Sequence, residues 1–351
     1  VPAGFPPPRR PGDDRIPGRT AWVDAAKGLC IVLVVLHHVV MFLEPRGLVP
    51  GPLGMLNTAL ASLRMPLFFL ASGLFLAAVL ARPWRVLLHR RVALFGWLYA
   101  LWTAVQFAVL SALPAGTAPE LATQSWAGLL LSPVIPAPSM WFLYALAVFS
   151  VAARALRRVP ATVLLVATGV LSGLVGAGTL EFASMAWEFM ARYAFFFVLG
   201  WHGRALVERL AAATSPLRVL VAGVLAAGAA AASVVLGVRE IPGVAFALNL
   251  LAVGGGVLVA AQLARWRIGA VAVALGRRTL PIYLTNILVI GGVTALLTGV
   301  RLPVAAQYAL VGAVTALAVV VTLGAHRALT AARAGWLYDL PGRWAVRPAV
   351  R

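Results

Sequence analysis

Long apolar runs alternate with short connections along this chain, and most of those connections carry arginine. Runs of about 17–25 apolar residues mark helices long enough to cross a bilayer. Ten are predicted, over residues 22–43, 54–81, 92–113, 139–156, 160–179, 183–203, 217–237, 244–264, 279–298 and 303–327. The longest connection, 114–138, is proline-rich, includes Glu120 and has no Lys or Arg. Its stretch WAGLLLSPVI is amphiphilic enough to lie along the interface or to dip back into the protein. No segment outside the runs is long enough for an appended soluble domain, and no internal repeat is evident.

The basic residues orient these runs. With the N-terminus inside, 23 of the 29 Lys and Arg fall in cytoplasmic segments, and only Arg46, Arg239 and Arg301 fall outside. That asymmetry is the positive-inside pattern. The fold class expected is an all-α polytopic integral membrane protein with about ten transmembrane helices and both termini cytoplasmic. It would be a multi-pass protein of the cell membrane, in contact with membrane lipid. Residues 1–20 read as a disordered basic arm without the apolar core of a signal peptide. Residues 21–330 form the transmembrane domain, and 331–351 a basic cytoplasmic tail.

Composition agrees: 62% of residues are hydrophobic and 11% charged, far from the balance of a soluble domain. The net charge of +19 does not indicate a nucleic-acid partner, because the arginines are scattered and form no continuous basic face. The single cysteine, Cys30, excludes an intramolecular disulfide and a cysteine-based zinc framework; it reads as a small packing residue.

Three basic residues fall inside the runs: Lys27, Arg64 and Arg192. Ionisable groups at such depth mark functional sites unless a simpler role accounts for them. Lys27 can snorkel to the cytoplasmic headgroups, with Asp24 three residues earlier as a helical partner. Arg192 can pair with Glu188 four residues before it. Arg64 needs a carboxylate, a phosphate or water. Ser72, in RMPLFFLASGLF, is not set in the Gly-x-Ser-x-Gly pattern of a nucleophile elbow and reads as a close-packing residue. Pro281 is expected to disturb the ninth helix near Tyr283 and Asn286.

His38 is the candidate base. It follows Lys27 by eleven residues, a rise of about 16 Å that returns to within about 20° of the same face. Asp24 shares that stripe, whereas His37 points about 100° away. An imidazole so placed can take a proton from a hydroxyl as it attacks a carbonyl. The same stripe would also suit the wall of a transport pathway.

The sequence WVDAAKGLCIVLVVLHH resembles the first helix of the membrane-bound acyltransferase family 3. Asp24, Lys27, Gly28 and His38 stand at that helix's motif positions. RMPLFFLASGLF, HRRVALFGWLYALW, PSMWFLYAL, RYAFFFVLGW and LGRRTLPIYLTN resemble the family's later patterns, in order, to about residue 286. The family often has His where Arg64 and Asn286 stand, and a further Arg and a Pro where Leu94 and Leu98 stand. The stand-alone branch, without a fused extracytoplasmic domain, is the closer likeness.

The resemblance implies an O-acyltransferase of EC 2.3.1 type with acyl-CoA, chiefly acetyl-CoA, as co-substrate and no resident cofactor or metal. Asp24, Lys27 and His38 would be the catalytic set. Lys27, Arg90 and Arg91 would hold the donor's phosphates. Arg64, Ser72, Tyr144, Arg192, Tyr283 and Asn286 would line the pocket, some as orienting groups or oxyanion donors. The acceptor would be a hydroxyl of an envelope glycan, or of a lipid-linked or small-molecule substrate. The competing reading is a transporter or flippase that makes no bond; a purely structural subunit is disfavoured by the buried charges.

Overall fold

The computed structural model describes residues 21–114, 116–117 and 125–341, except for the side chain of Arg90. The expected N-terminal arm, Glu120 and residues 342–351 of the expected tail lie outside the described residues. Every regular element among the described residues is helical. They run α1 (Ala21–Leu43), α2 (Gly51–Ala59), α3 (Ala61–Gly73), α4 (Leu76–Leu80), α5 (Trp84–Leu87), α6 (Leu94–Ser111), α7 (Trp126–Leu131) and α8 (Trp141–Ala155). They continue with α9 (Ala161–Gly176), α10 (Met185–His202), α11 (Arg204–Ala212), α12 (Pro216–Val235), α13 (Val244–Leu263), α14 (Gly269–Gly276), α15 (Thr279–Leu296) and α16 (Val304–Ala331).

Each of the ten apolar runs is helical. Among the described residues, seven helical stretches are long and apolar enough to cross a membrane, counting Gly51–Gly73 and Trp84–Ser111 as one each, with α8 and α9 shorter but also apolar. The chain is therefore an all-α polytopic membrane protein. Its second run, expected as one helix, is divided into α2, α3 and α4, and the third is entered through a π-helical stretch at Leu88–Ala93 that joins α5 to α6. The divisions of the second run fall at Leu60 and at Leu74–Phe75, while α3 runs unbroken through Pro66. Pro281 behaves otherwise than expected. It is the third residue of α15, where helical N–H groups have no intrahelical partner, so the helix begins there without a kink.

Helix α1 is the axis of the bundle and packs on α3, α13, α14, α15 and α16. Its polar residues thereby face protein. Two glycine crossings set the helix spacing. A Cβ at Gly28 would collide with the Ala272 carbonyl and one at Gly276 with that of Asp24, so α1 and α14 touch backbone to backbone. A Cβ at Gly73 would meet the Phe197 carbonyl and one at Gly200 that of Leu70, which locks α3 to α10. Without a hydrophobic drive between helices in lipid, such close approach is what holds them.

The long connection dips back into the bundle. Trp126, at the start of α7, packs on Phe107 with ring centroids 4.7 Å apart. Ser132 and Ala137 are held by Tyr99, eight residues nearer the start of α6, about 12 Å deeper along the helix. The Tyr99 hydroxyl donates to the Ser132 carbonyl at 2.6 Å and accepts from the Ala137 amide at 2.8 Å. Tyr144 donates to the Pro133 carbonyl at 3.0 Å, and Trp187 Nε1 to that of Val134 at 2.9 Å. Tyr283 donates to the Ser139 carbonyl at 3.0 Å, while the Ser139 hydroxyl donates to Gln106 Oε1 at 2.6 Å. Irregular backbone at membrane depth needs such partners, and here side chains of α6, α8, α10 and α15 supply them. This is why α8 has only 15 residues: it starts below the surface.

Beyond α16, the first residues of the expected tail fold back. Trp97 Nε1 donates to the Trp336 carbonyl at 3.0 Å and Trp102 Nε1 to that of Leu337 at 2.7 Å.

Candidate functional site

His38 is buried on α1 and faces α15, where its Nδ1 meets Asn286 Oδ1 at 2.7 Å. The orientation of Asn286 is fixed from its other end. Its Nδ2 donates to the Ile282 and Tyr283 carbonyls at 2.8 and 2.9 Å, leaving Oδ1 as the acceptor. His38 Nδ1 is therefore the protonated nitrogen, and Nε2 carries the lone pair.

The adjacent histidine has the opposite tautomer. Arg64 Nη1 donates to both the backbone oxygen and Oδ1 of Asn57, each at 3.0 Å. Asn57 then turns Nδ2 to His37 Nδ1 at 3.2 Å. That nitrogen accepts, so the proton of His37 sits on Nε2 and its lone pair is already engaged. Of the two neighbours, His38 alone keeps an uncommitted basic nitrogen in this pattern. Asn57, on α2, is a residue the sequence reading missed; it follows a turn and belongs to no motif.

A cavity of about 270 Å³ lies one turn from Asn286. Its walls include Lys27, Phe68, Ser72, Arg91, Phe142 and Tyr283. Lys27, Ser72, Arg91 and Tyr283 are thus brought together as the sequence suggested. Phe75, Phe95 and Thr279 also line it and were not singled out. Lys27 Nζ stands 5.5 Å from the Phe75 ring centre, and the Arg204 guanidinium 5.8 Å from the same ring. Arg91 stands 5.8 Å from that of Phe95. Cations over aromatic faces are held without losing their outward charge. Both Arg90 and Arg91 fall in the π-helical stretch, a wide turn that re-aims side chains; the side chain of Arg90 is outside the described residues.

Two of the cavity's hydroxyls are committed. Ser72 donates to the Phe68 carbonyl at 2.8 Å, a back-bond within α3. Tyr283 donates to the re-entrant loop at Ser139. Asp24 is nearly fully buried and pairs with Arg277 across the α1–α14 contact, Oδ2 to Nε at 3.2 Å. It thus fixes the connection leading into α15.

Of the six residues expected to line the pocket, Ser72 and Tyr283 do so, whereas Arg64, Asn286, Tyr144 and Arg192 are not among its walls, and neither is His38. Tyr144 staples Pro133 and packs on Tyr99 and Trp187, at ring distances of 5.4 and 5.8 Å. Arg192 bonds Glu188 at 2.6 Å and the Val175 carbonyl at 3.2 Å, between α9 and α10. Neither lines the cavity.

The family described as an acyltransferase domain matches residues 20–325. The inner membrane protein YcfT of Escherichia coli (strain K12) is 32% identical over 156 residues, 39% of this chain and 44% of that relative. The match therefore spans less than half the length of that curated relative. No solved structure matches. With its match running through every helix of the bundle as far as α16, the chain belongs to the acyltransferase-domain family, acyltransferase family 3.

Proposed function

We propose that the protein moves an acyl group, acetyl first, from cytoplasmic acyl-CoA to a hydroxyl of an envelope glycan, or of a lipid-linked or small-molecule acceptor. The observation that carries this reading is the free Nε2 of His38, set by the Asn286 contact. Lys27 and Arg91 hold the donor's phosphates at the mouth of the 270 Å³ cavity. Its thioester arm threads between Phe68, Phe142 and Tyr283 toward His38.

His38 Nε2 takes the proton of the acceptor hydroxyl as its oxygen adds to the thioester carbonyl. The tetrahedral adduct collapses, the carbon–sulfur bond breaks, and the imidazolium returns the proton to the leaving thiolate. The products are the acyl ester and free CoA. Asn286 holds the ring through both steps, because its Oδ1 accepts from Nδ1–H in the neutral and in the protonated imidazole alike.

The test is transfer from labelled acetyl-CoA into envelope extract by purified protein in lipid nanodiscs. Label entering an ester-linked product with wild type and not with His38→Ala is the expected result. If wild type leaves acetyl-CoA intact with every extract, the proposed reaction fails, and passage of a substrate without bond formation becomes the better reading.

A further inference from the structure

Arg64 is only 6% exposed, and its two hydrogen bonds both go to neutral oxygens of Asn57. None of the ion pairs among the described residues includes it. A guanidinium does not shed its charge, and a buried ion without a counter-charge costs several kcal/mol. Asn57 joins Arg64 to His37, whose ring lies 5.7 Å from that of His38, so Arg64 stands one side chain away from the histidine pair. Phe68 and Ser72, one and two turns further along the same face of α3, line the cavity.

An anion belonging at Arg64 is distinct from the donor's phosphates. Those are assigned to Lys27 and Arg91 at the mouth, and Lys27 lies about 16 Å along α1 from His38. Resting on the acyl-transfer reading above, we propose that Arg64, backed by Asn57, seats an anionic group of the acceptor, a phosphate or a carboxylate. The acceptor class is then a negatively charged hydroxyl compound, such as a sugar phosphate or a sugar acid. Asn57 sets the guanidinium and, through the same amide, His37, so anion binding and the histidine pair share one support.

Thermal unfolding of the purified protein in nanodiscs tests this without turnover. The probes are glucose 1-phosphate, glucuronate, inorganic phosphate and neutral glucose, at equal ionic strength. One or more of the three anions should raise Tm by about 2–4 °C, and glucose should not. The shift should vanish in Arg64→Gln, persist in weakened form in Arg64→Lys, and remain in Lys27→Ala. Absence of any anion-dependent shift, a shift unchanged in Arg64→Gln, or equal stabilisation by glucose would overturn the proposal. If Arg64→Gln does not fold, loss of the shift in Asn57→Ala supports the proposal and its full retention there overturns it. Acetyl transfer without an anion shift would leave the reaction standing and remove this site; an anion shift without transfer would do the reverse.

Discussion

His38 Nδ1 donates to Asn286 Oδ1 at 2.7 Å, while its neighbour His37 accepts from Asn57 through the equivalent nitrogen. Two consecutive imidazoles are thus fixed in opposite tautomers. His38→Ala should lower acetyl transfer by about 10²–10⁴, the range for a lost general base. His37→Ala should retain transfer to within about tenfold, since its cost is one hydrogen bond to Asn57. Equal losses at both positions in a single-turnover assay would remove the base from His38.

Asn286→Leu should leave the bundle folded but release the His38 ring, lowering kcat by about tenfold or more while the KM for acetyl-CoA stays near the wild-type value. A change confined to KM would mean that Asn286 serves donor binding instead.

Lys27→Ala and Arg91→Ala should act in the opposite sense. Each removes a charge-assisted contact worth about 1.5–3 kcal/mol, so the KM for acetyl-CoA should rise about tenfold or more. Dephospho-CoA thioesters, one phosphate short, should narrow the gap between wild type and variant.

Tyr99→Phe removes both clasps on the re-entrant loop. Leaving the Ser132 carbonyl and the Ala137 amide unpartnered at depth should cost about 1–3 kcal/mol each. The expected signs are faster hydrogen exchange over 132–140 and a lowered Tm. Unchanged exchange would show that Tyr144, Trp187 and Tyr283 suffice.

Gly200→Leu should destabilise by about 1–3 kcal/mol or more, since the added side chain meets the Leu70 carbonyl. Gly223→Leu, on α12 where a Cβ meets nothing within 4 Å, should be tolerated. Thermal unfolding of the pair in one detergent checks both.

Each of the ten apolar runs contains helix because lipid imposes one strong rule on composition, but run length did not show that the second is divided into α2, α3 and α4. The stripe from Asp24 through Lys27 to His38 was legible because helical geometry alone relates their faces. The Glu188–Arg192 pair was legible for the same reason, since four residues on a helix are neighbours. Asn57 and Arg277 were not legible as partners of His37 and Asp24, because those contacts join segments 20 and 253 residues apart. Tyr144 and Tyr283 looked alike in sequence as pocket hydroxyls. Only the descent of residues 132–140 reveals that both phenols bond to loop carbonyls.

That descent changes what the protein must insulate. A fifteen-residue α8 is about 22 Å long, against about 30 Å for a bilayer's hydrocarbon core. Where the chain turns back, about 8 Å of lipid-like thickness is replaced by backbone dipoles and hydroxyls. The apolar span is locally shorter on the side from which residues 132–140 descend. A polar molecule arriving from that side would meet hydrogen-bonding surface before reaching the depth of Tyr99, so less of its hydration shell has to be surrendered to hydrocarbon.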